Sequence, residues 1–378
     1  MRRGGTRAKA TETTYLTAVV AIVLAVVATP HAEADSVEFF VRPLIAAGDP
    51  GGVPPDTPAD RVDPNTTTSP FAGVGGIEVD LTTSTVNASG VLLSRQHVLT
   101  AAHTFDRDND GIRDVDTDDV TFFLNFGSDL SHSIGVDSIE LHPDFDGFAS
   151  GVAPLTRDDI AVMTLSSLVP DGVPTYEIYP DPVTLTTRIT MVGYGDSEVG
   201  TPAGGFFVSA DPAVKRSGDN IIDDLRLDDE NPGSGIHEVF VYDFDGPGAK
   251  NFLGGSTLGN DIESTAMPGD SGGPAFVDVG GQFQVAGLNT FAMRFFDDDL
   301  LEFGPDNPQF GSGAGGVLVG PAQDFIFSIV PLPSAVWAGL LMLGALAVIR
   351  VAKTQRQQRK PAPLAITDAS APFSRRHP

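Results

Sequence analysis

The residue of this chain best placed to do chemistry is Ser271. It lies in a Gly-Asp-Ser-Gly-Gly-Pro run at residues 269–274. Small neighbours on a tight turn hold a serine hydroxyl clear of its backbone, and they let backbone N–H groups gather around a developing oxyanion. Because a serine hydroxyl is a weak nucleophile at neutral pH, it also needs a base within hydrogen-bond reach. The pattern therefore predicts a nucleophilic serine with a histidine as its partner.

The order of the histidines decides between two catalytic arrangements. The run around Ser271 also fits the G-x-S-x-G elbow of α/β-hydrolases, whose catalytic histidine follows the serine. The only histidine beyond Ser271 is His377, the penultimate residue, so that arrangement is excluded. The order His, Asp, Ser is filled instead, because His103 ends an apolar run and the pair Asp158-Asp159 leads into another. Either aspartate of this pair suits the third role.

Three motifs together resemble those of the trypsin/chymotrypsin family of serine peptidases. They are T-A-A-H at residues 100–103, D-I-A at residues 159–161 and G-D-S-G-G-P at residues 269–274. They stand in the family's order, and the resemblance covers roughly residues 62 to 330. It implies an all-β fold of two antiparallel six-stranded β-barrels with a short C-terminal helix, the barrels spanning about residues 62–185 and 186–330.

The resemblance also assigns roles to the catalytic residues. Ser271 is expected to be the nucleophile, His103 the general base and then acid, and Asp159 the residue that orients the imidazole. Asp159 is selected over Asp158 because the family's aspartate directly precedes Ile-Ala. The backbone N–H groups of Gly269 and Ser271 are expected to form the oxyanion hole.

The substrate pocket and an activation site follow from the same resemblance. Thr265 is expected on the pocket floor, Phe291 on its wall, and Ala292 and Gly316 at its rim. A neutral floor argues against a preference for Arg or Lys and suits a medium apolar side chain.

In this family a freed apolar N-terminus pairs with the aspartate before the catalytic serine, here Asp270. Arg61-Val62, with Val62 41 residues before His103, is the predicted cut. Residues 35–61 would then be a propeptide or flexible segment.

An acidic loop follows the histidine motif and predicts a structural calcium site. Carboxylates at positions 1, 3, 5 and 9, with Gly111 at position 6, match the start of an EF-hand-type loop. Position 12 is Thr117 rather than Glu, and a solvated acidic loop is the alternative. Acidic residues at 219–230 and 297–299 have no ligand-like spacing and are expected in solvated loops. The predicted ligands are Asp106, Asp108, Asp110, Ile112 through its carbonyl, Asp114 and Asp118.

The two ends of the chain predict export and sorting. Four basic residues precede an apolar run at residues 16–28, and Ala32-Glu33-Ala34 offers a cleavage site, so residues 1–34 read as a signal peptide. The motif V-P-L-P-x-x-x-W at residues 330–337 opens a segment, residues 331–360, that continues with an apolar stretch and a basic end. They resemble a PEP-CTERM sorting tail, which implies an exosortase-type partner and the membrane. A permanent single-span anchor is the alternative. Residues 361–378 are expected to be a disordered cytoplasmic tail.

The amino-acid composition limits which partners the protein can bind and in which cellular compartment it is expected. The formal net charge is −27, and residues 35–333 carry 47 acidic against 12 basic side chains. Such a surface repels nucleic acid and suits divalent cations. The chain contains no cysteine and therefore no disulfide. An exported β-protein of this kind must be stabilised by its hydrophobic core or by another cross-link.

These observations favour an exported, calcium-stabilised serine endopeptidase of the bacterial periplasm, envelope or exterior, acting on proteins or peptides. Two alternatives remain open. One is a non-catalytic binding or matrix protein on a peptidase fold, and the other is an esterase that uses the same triad.

Overall fold

The computed structural model describes the two-barrel region of the chain. The described residues are 45–64, 66–127, 129–148, 156–195, 197–200, 207–208, 214–245, 253–255, 257–267, 269–295, 301–302 and 310–331. The predicted signal peptide and the apolar stretch of the predicted sorting tail lie outside them. Among the described residues, no helix is long and apolar enough to cross a membrane.

The first half of the described chain is a closed six-stranded antiparallel barrel in the order β1-β2-β3-β6-β5-β4. Alternate side chains along its strands point inward, so that Ile77, Val79, Phe122 and Met163 meet in one buried cluster. The strands are β1 Val74–Asp80, β2 Thr85–Leu92, β3 His97–Thr100, β4 Val120–Phe126, β5 Asp129–Leu141 and β6 Ala161–Leu165.

The second half forms an eight-stranded sheet in the order β10-β7-β13-β14-β16-β12-β11, with β15 paired to β14. Strands β8 and β9 form a separate pair. A short C-terminal helix, α1 Gln323–Ile329, follows. The strands are β7 Arg188–Gly193, β8 Ser197–Glu198, β9 Phe207–Val208, β10 Arg216–Ile221, β11 Asp224–Leu227, β12 His237–Asp243, β13 Pro274–Asp278, β14 Phe283–Phe295, β15 Leu301–Glu302 and β16 Ser312–Leu318.

The predicted all-β class with a short C-terminal helix is confirmed. The second half was predicted to be a closed six-stranded barrel, but its described strands form an eight-stranded sheet that does not close. Within the described residues, β10 and β12 do not share a ladder. They are linked instead by one side-chain bond, in which Asn220 Nδ2 donates to the Asp243 carbonyl (2.8 Å). Two residues beyond β10, the Asp223 N–H donates to the Val241 carbonyl of β12 (2.9 Å). Acidic side chains stand at this seam, and like charges directly opposite one another weaken strand pairing.

A second buried cluster joins the two halves of the fold. Val91 and Leu99 of the first barrel pack with Val192 and Phe276 of the second sheet, and Ile326 of α1 covers this layer. Burial of apolar side chains between the halves fixes the strand ends that meet there. Those ends carry the residues that the sequence singles out.

Candidate active site

The structure brings His103, Asp159 and Ser271 together. The His103 Nδ1 lies 2.6 Å from Asp159 Oδ2, and the His103 Nε2 lies 3.0 Å from Ser271 Oγ. The other carboxylate oxygen of Asp159 accepts a hydrogen bond from the His103 backbone N–H at 2.8 Å. Asp159 is fully buried and Ser271 is 7% exposed, so the three groups interact away from bulk water.

Strand pairing explains why two of these residues meet. His103 lies in a 3-10 helix, Ala102–Thr104, just after β3, and Asp159 lies two residues before β6. Because β3 and β6 are antiparallel partners, with Thr100 opposite Ala161, the end of one strand adjoins the start of the other. The serine comes from the second sheet, three residues before β13.

The hydrogen bonds fix the tautomer of His103. An ionised Asp159 can only accept, so the proton sits on Nδ1 and leaves Nε2 to accept the Ser271 hydroxyl proton. In this arrangement the imidazole is ready to act as a base toward Ser271.

Glycines shape the loop that carries the nucleophile. Gly269 has φ +87°, and Gly272 has φ +76°. A Cβ at Gly272 would lie 2.1 Å from the Thr100 hydroxyl, so a larger residue there would displace the serine. Within the described residues, neither the Gly269 N–H nor the Ser271 N–H has a hydrogen-bond acceptor. Their expected role as the oxyanion hole stays a prediction.

Ser89 of β2 anchors this loop, and sequence reasoning missed it. Its N–H donates to the Ser271 carbonyl (2.8 Å), and its hydroxyl donates to the Gly269 carbonyl (3.0 Å). The same hydroxyl accepts from the Tyr194 N–H at 3.0 Å. The signal in the sequence was a serine inside a run of apolar and small residues, and the structure shows that this serine is fully buried.

Phe148 is a second residue that sequence reasoning missed. Its ring meets the His103 ring edge-to-face, with centroids 5.2 Å apart. It also packs on the apolar cluster that contains Phe291, the predicted pocket wall. Phe148 therefore links the catalytic imidazole to the wall of the predicted substrate pocket.

Asp158 has a different environment from its neighbour Asp159. Its Oδ1 lies 3.3 Å from His142 Nδ1, and its backbone is left-handed with φ +49°. Asp158 joins Asp229, Glu230 and Glu238 in a carboxylate group whose nearest oxygens lie within 4.8 Å of one another. Burial, together with nearby negative charges led by that of Glu230, raises the pKa of Asp158 to about 7. Burial also raises the pKa of Glu238, to about 8.

Three of the predicted pocket residues, Phe291, Ala292 and Gly316, lie on the paired strands β14 and β16. Thr265 is buried, and its carbonyl accepts from the Ala46 N–H at 2.9 Å. Ala292 pairs with Ala314, and Phe291 is 6% exposed. A Cβ at Gly316 would lie 1.7 Å from the Leu288 carbonyl oxygen, so only glycine fits at that position.

The residues of the predicted activation site are placed differently from the expectation. Arg61 is 8% exposed, forms an ion pair with Asp56 and donates to the Ile262 carbonyl at 2.8 Å. Val62 is 42% exposed and bridges to Arg216. Asp270 is fully buried, and its Oδ2 accepts from the Met267 N–H at 3.2 Å. A protease would have to detach Arg61 first, so the structure does not support an accessible cut after it.

One stretch of the predicted propeptide, residues 45–47, is packed into the fold. Ile45, Ala46 and Ala47 are fully buried. Ala46 bridges to Thr265, and Ala47 bridges to Val199. This segment therefore lies against Thr265, the predicted pocket floor.

The predicted calcium loop gathers three of its six predicted ligands. Asp106, Asp108 and Asp114 each offer a carboxylate oxygen within 4.8 Å of the others. Asp110 Oδ1 instead accepts from the Ile112 N–H at 2.9 Å, and Asp118 lies in a separate 3-10 helix, Thr117–Asp119.

Gly111 supports the sharp turn of this loop. It has φ +80°, and a Cβ there would lie 2.8 Å from the Phe145 carbonyl oxygen. Hard oxygen donors on such a turn fit Ca²⁺.

The fold combines a closed β-barrel with a second antiparallel sheet, and a Ser-His-Asp arrangement lies where the two meet. The family model for trypsin matches residues 71–205, which include His103 and Asp159. This match supports a trypsin-like serine peptidase fold. No curated protein shows a significant match.

Proposed function

We propose that this protein is a serine endopeptidase that cleaves peptide bonds through an acyl-enzyme on Ser271. The observation that carries the proposal is the continuous chain of hydrogen bonds from Asp159 through His103 to the Ser271 hydroxyl. Such a chain lets a neutral serine become a nucleophile at the moment of attack.

The chemistry follows from the positions of these atoms. His103 Nε2 takes the hydroxyl proton as Ser271 Oγ attacks the scissile carbonyl, and the Gly269 and Ser271 N–H groups receive the oxyanion. The imidazolium, stabilised by Asp159, then gives the proton to the leaving amine. Water repeats the same steps on the acyl-enzyme and frees Ser271.

The pocket residues support a preference for uncharged side chains at the cleavage site. Thr265 contributes no charge to the floor, while Phe291 and Ala292 offer apolar surface. A medium apolar side chain is the substrate feature that we propose.

Calcium and export complete the proposal. Asp106, Asp108 and Asp114 would hold Ca²⁺ and stabilise the turn that follows His103, in place of the disulfides that this chain lacks. The sequences of residues 1–34 and 331–360 support export, membrane targeting and handling by an exosortase-type enzyme.

Substrate hydrolysis by matched variants tests the peptidase proposal. Wild-type protein and Ser271→Ala are compared on a peptide library and on a panel of simple esters. We expect peptide cleavage by the wild type alone, with both proteins equally folded by circular dichroism. Ester cleavage without peptide cleavage would assign an esterase, and inertness of the folded wild type toward both substrates would assign a binding protein.

A further inference from the structure

The triad draws its residues from both halves of the fold, so its geometry depends on the contacts that hold the halves together. His103 and Asp159 belong to the first half, and Ser271 belongs to the loop before β13 of the second sheet. On the serine side, Ser89 of β2 bonds across to this loop. On the aspartate side, a second bonded contact crosses between the halves, and it centres on Arg157.

The Arg157 guanidinium reaches the β11–β12 hairpin of the second sheet. Its Nη1 donates to Glu238 Oε1 at 2.8 Å and to the Leu227 carbonyl at 3.0 Å. The same nitrogen lies 3.2 Å from Asp229 Oδ1. Leu227 ends β11, Glu238 lies in β12 and Asp229 lies between the two strands. One residue of the first half therefore contacts both strands of the hairpin and their connection.

The ion pair between Arg157 and Glu238 is largely shielded from water. The side chain of Glu238 is 6% exposed, and that of Arg157 is 28% exposed. Exposed ion pairs contribute little because water and salt screen them, whereas breaking a buried pair leaves a charge without compensation. The hairpin contact can therefore fix the position of the segment that carries Arg157.

Arg157 also supplies a permanent positive charge beside a group of carboxylates. Oxygens within 4.8 Å of one another belong to Asp158, Asp229, Glu230 and Glu238. Among the described ion pairs, no other lysine or arginine meets this group. His142 lies 3.3 Å from Asp158, but burial lowers the pKa of its imidazole. Without the guanidinium, these carboxylates would repel one another across the contact between the halves.

The backbone from Arg157 to Asp159 can pass a displacement directly to the triad. Asp158 has a left-handed backbone, and its carbonyl accepts from the Ile160 N–H at 2.6 Å. Strand β6 begins only two residues after Asp159. A shift of the segment at Arg157 would therefore move the Asp159 carboxylate, whose Oδ2 lies 2.6 Å from His103 Nδ1.

We propose that Arg157 is a positioning residue, which keeps Asp159 at hydrogen-bond distance from His103 by holding the first half of the fold to the β11–β12 hairpin. This role rests on the proposed function, in which Asp159 orients His103. Among the described residues, the bonds of Arg157 go to the hairpin rather than to the predicted pocket. Its loss should therefore lower kcat and leave KM nearly unchanged.

Matched variants of the full chain test the proposal by steady-state kinetics on a peptide substrate and by proton NMR. Arg157→Gln removes the charge, and Arg157→Lys keeps the charge without the planar fork of the guanidinium. Arg226→Gln is the control, because Arg226 pairs with Asp224 inside the same hairpin. The NMR signal is that of the His103 Nδ1 proton, which a short bond to a carboxylate moves far downfield, so it reports the placement of Asp159.

A displacement of about 1 Å in a catalytic group can cost about 10²-fold in rate. We therefore expect Arg157→Gln to lower kcat about 10- to 100-fold, with KM within about twofold of the wild type, and to lose the downfield signal. Arg157→Lys should lower kcat about 3- to 10-fold. Arg226→Gln should match the wild type in kcat and in the NMR signal.

Wild-type kcat in a folded Arg157→Gln would overturn the proposal, and if that variant does not fold, wild-type kcat in Arg157→Lys would do so. A reduced kcat with an unchanged downfield signal, or an equal loss in Arg226→Gln, would also overturn it. A wild type that shows the signal but cleaves no peptide would contradict the peptidase proposal alone, because the signal in the variants still decides the role of Arg157. A wild type without the signal would contradict both.

Discussion

Replacing Ser89 with alanine should damage catalysis without touching the triad. The change removes a hydroxyl that donates to the Gly269 carbonyl and accepts from the Tyr194 N–H, each at 3.0 Å. Both backbone groups would be left buried without a partner. Each such loss costs about 1–3 kcal/mol, so we expect roughly 2–6 kcal/mol in total and a Tm lower by on the order of 10 °C.

The catalytic effect of Ser89→Ala has a separate origin. Gly269 also carries, through its N–H, one of the two predicted oxyanion donors, and loss of such a donor costs about 10²–10³ in kcat. Because the change loosens that donor without deleting it, we expect kcat to fall about 10- to 100-fold with little change in KM.

A matched variant distinguishes loop positioning from general destabilisation. Ser69→Ala removes another buried hydroxyl, one that donates to Asp63 at 2.7 Å instead of to the catalytic loop. Steady-state kinetics at 15 °C, well below either Tm, should show normal kcat in Ser69→Ala and reduced kcat in Ser89→Ala. A Ser89→Ala enzyme with kcat within twofold of the wild type would refute the anchoring role.

Three further predictions follow from the same geometry. Asp159→Asn should lower kcat by about 10⁴ because it disturbs the His103 tautomer, whereas Asp158→Asn should change kcat less than tenfold; equal losses in steady-state assays would contradict the assignment. In the presence of chelator, Tm should rise as the pH falls from 8 to 6. Asp158 and Glu238 have raised pKa values in the folded protein, so they take up protons on folding. A Tm that falls over this pH range would contradict the prediction. Asp108→Asn should abolish the stabilisation that Ca²⁺ gives through the loop, about 2.7 kcal/mol at 100 times Kd, and with it that part of the Ca²⁺-dependent increase in Tm. An unchanged calorimetric response would exclude the loop site.

The triad residues could be predicted from the sequence because each lies in a short motif of neighbouring residues. His103, Asp159 and Ser271 each stand beside a strand end with diagnostic neighbours, and antiparallel pairing of β3 and β6 then brings the first two together. Residue types and spacing alone did not show which of Asp158 and Asp159 orients the histidine. What separates them is the left-handed backbone at Asp158, which turns its carboxylate toward His142.

The parts that sequence reasoning missed depend on contacts between distant segments. The acidic stretch at residues 219–230 was expected to be solvated, yet Asp223 lies against carboxylates from two other segments. Arg61 reads as a cleavage site, but its partner carbonyl belongs to Ile262, 201 residues away. Such long-range pairs leave no periodicity or spacing in the sequence.

Mapping the adduct of a fluorophosphonate tests the central claim most directly, because this reagent phosphonylates only an activated serine. Wild type, Ser271→Ala and His103→Ala would be treated identically, then digested and analysed by tandem mass spectrometry. The triad geometry predicts one adduct, on the peptide that contains Ser271, in the wild type and none in either variant. An adduct on another serine, or full labelling of Ser271 in His103→Ala, would contradict a nucleophile activated by this histidine.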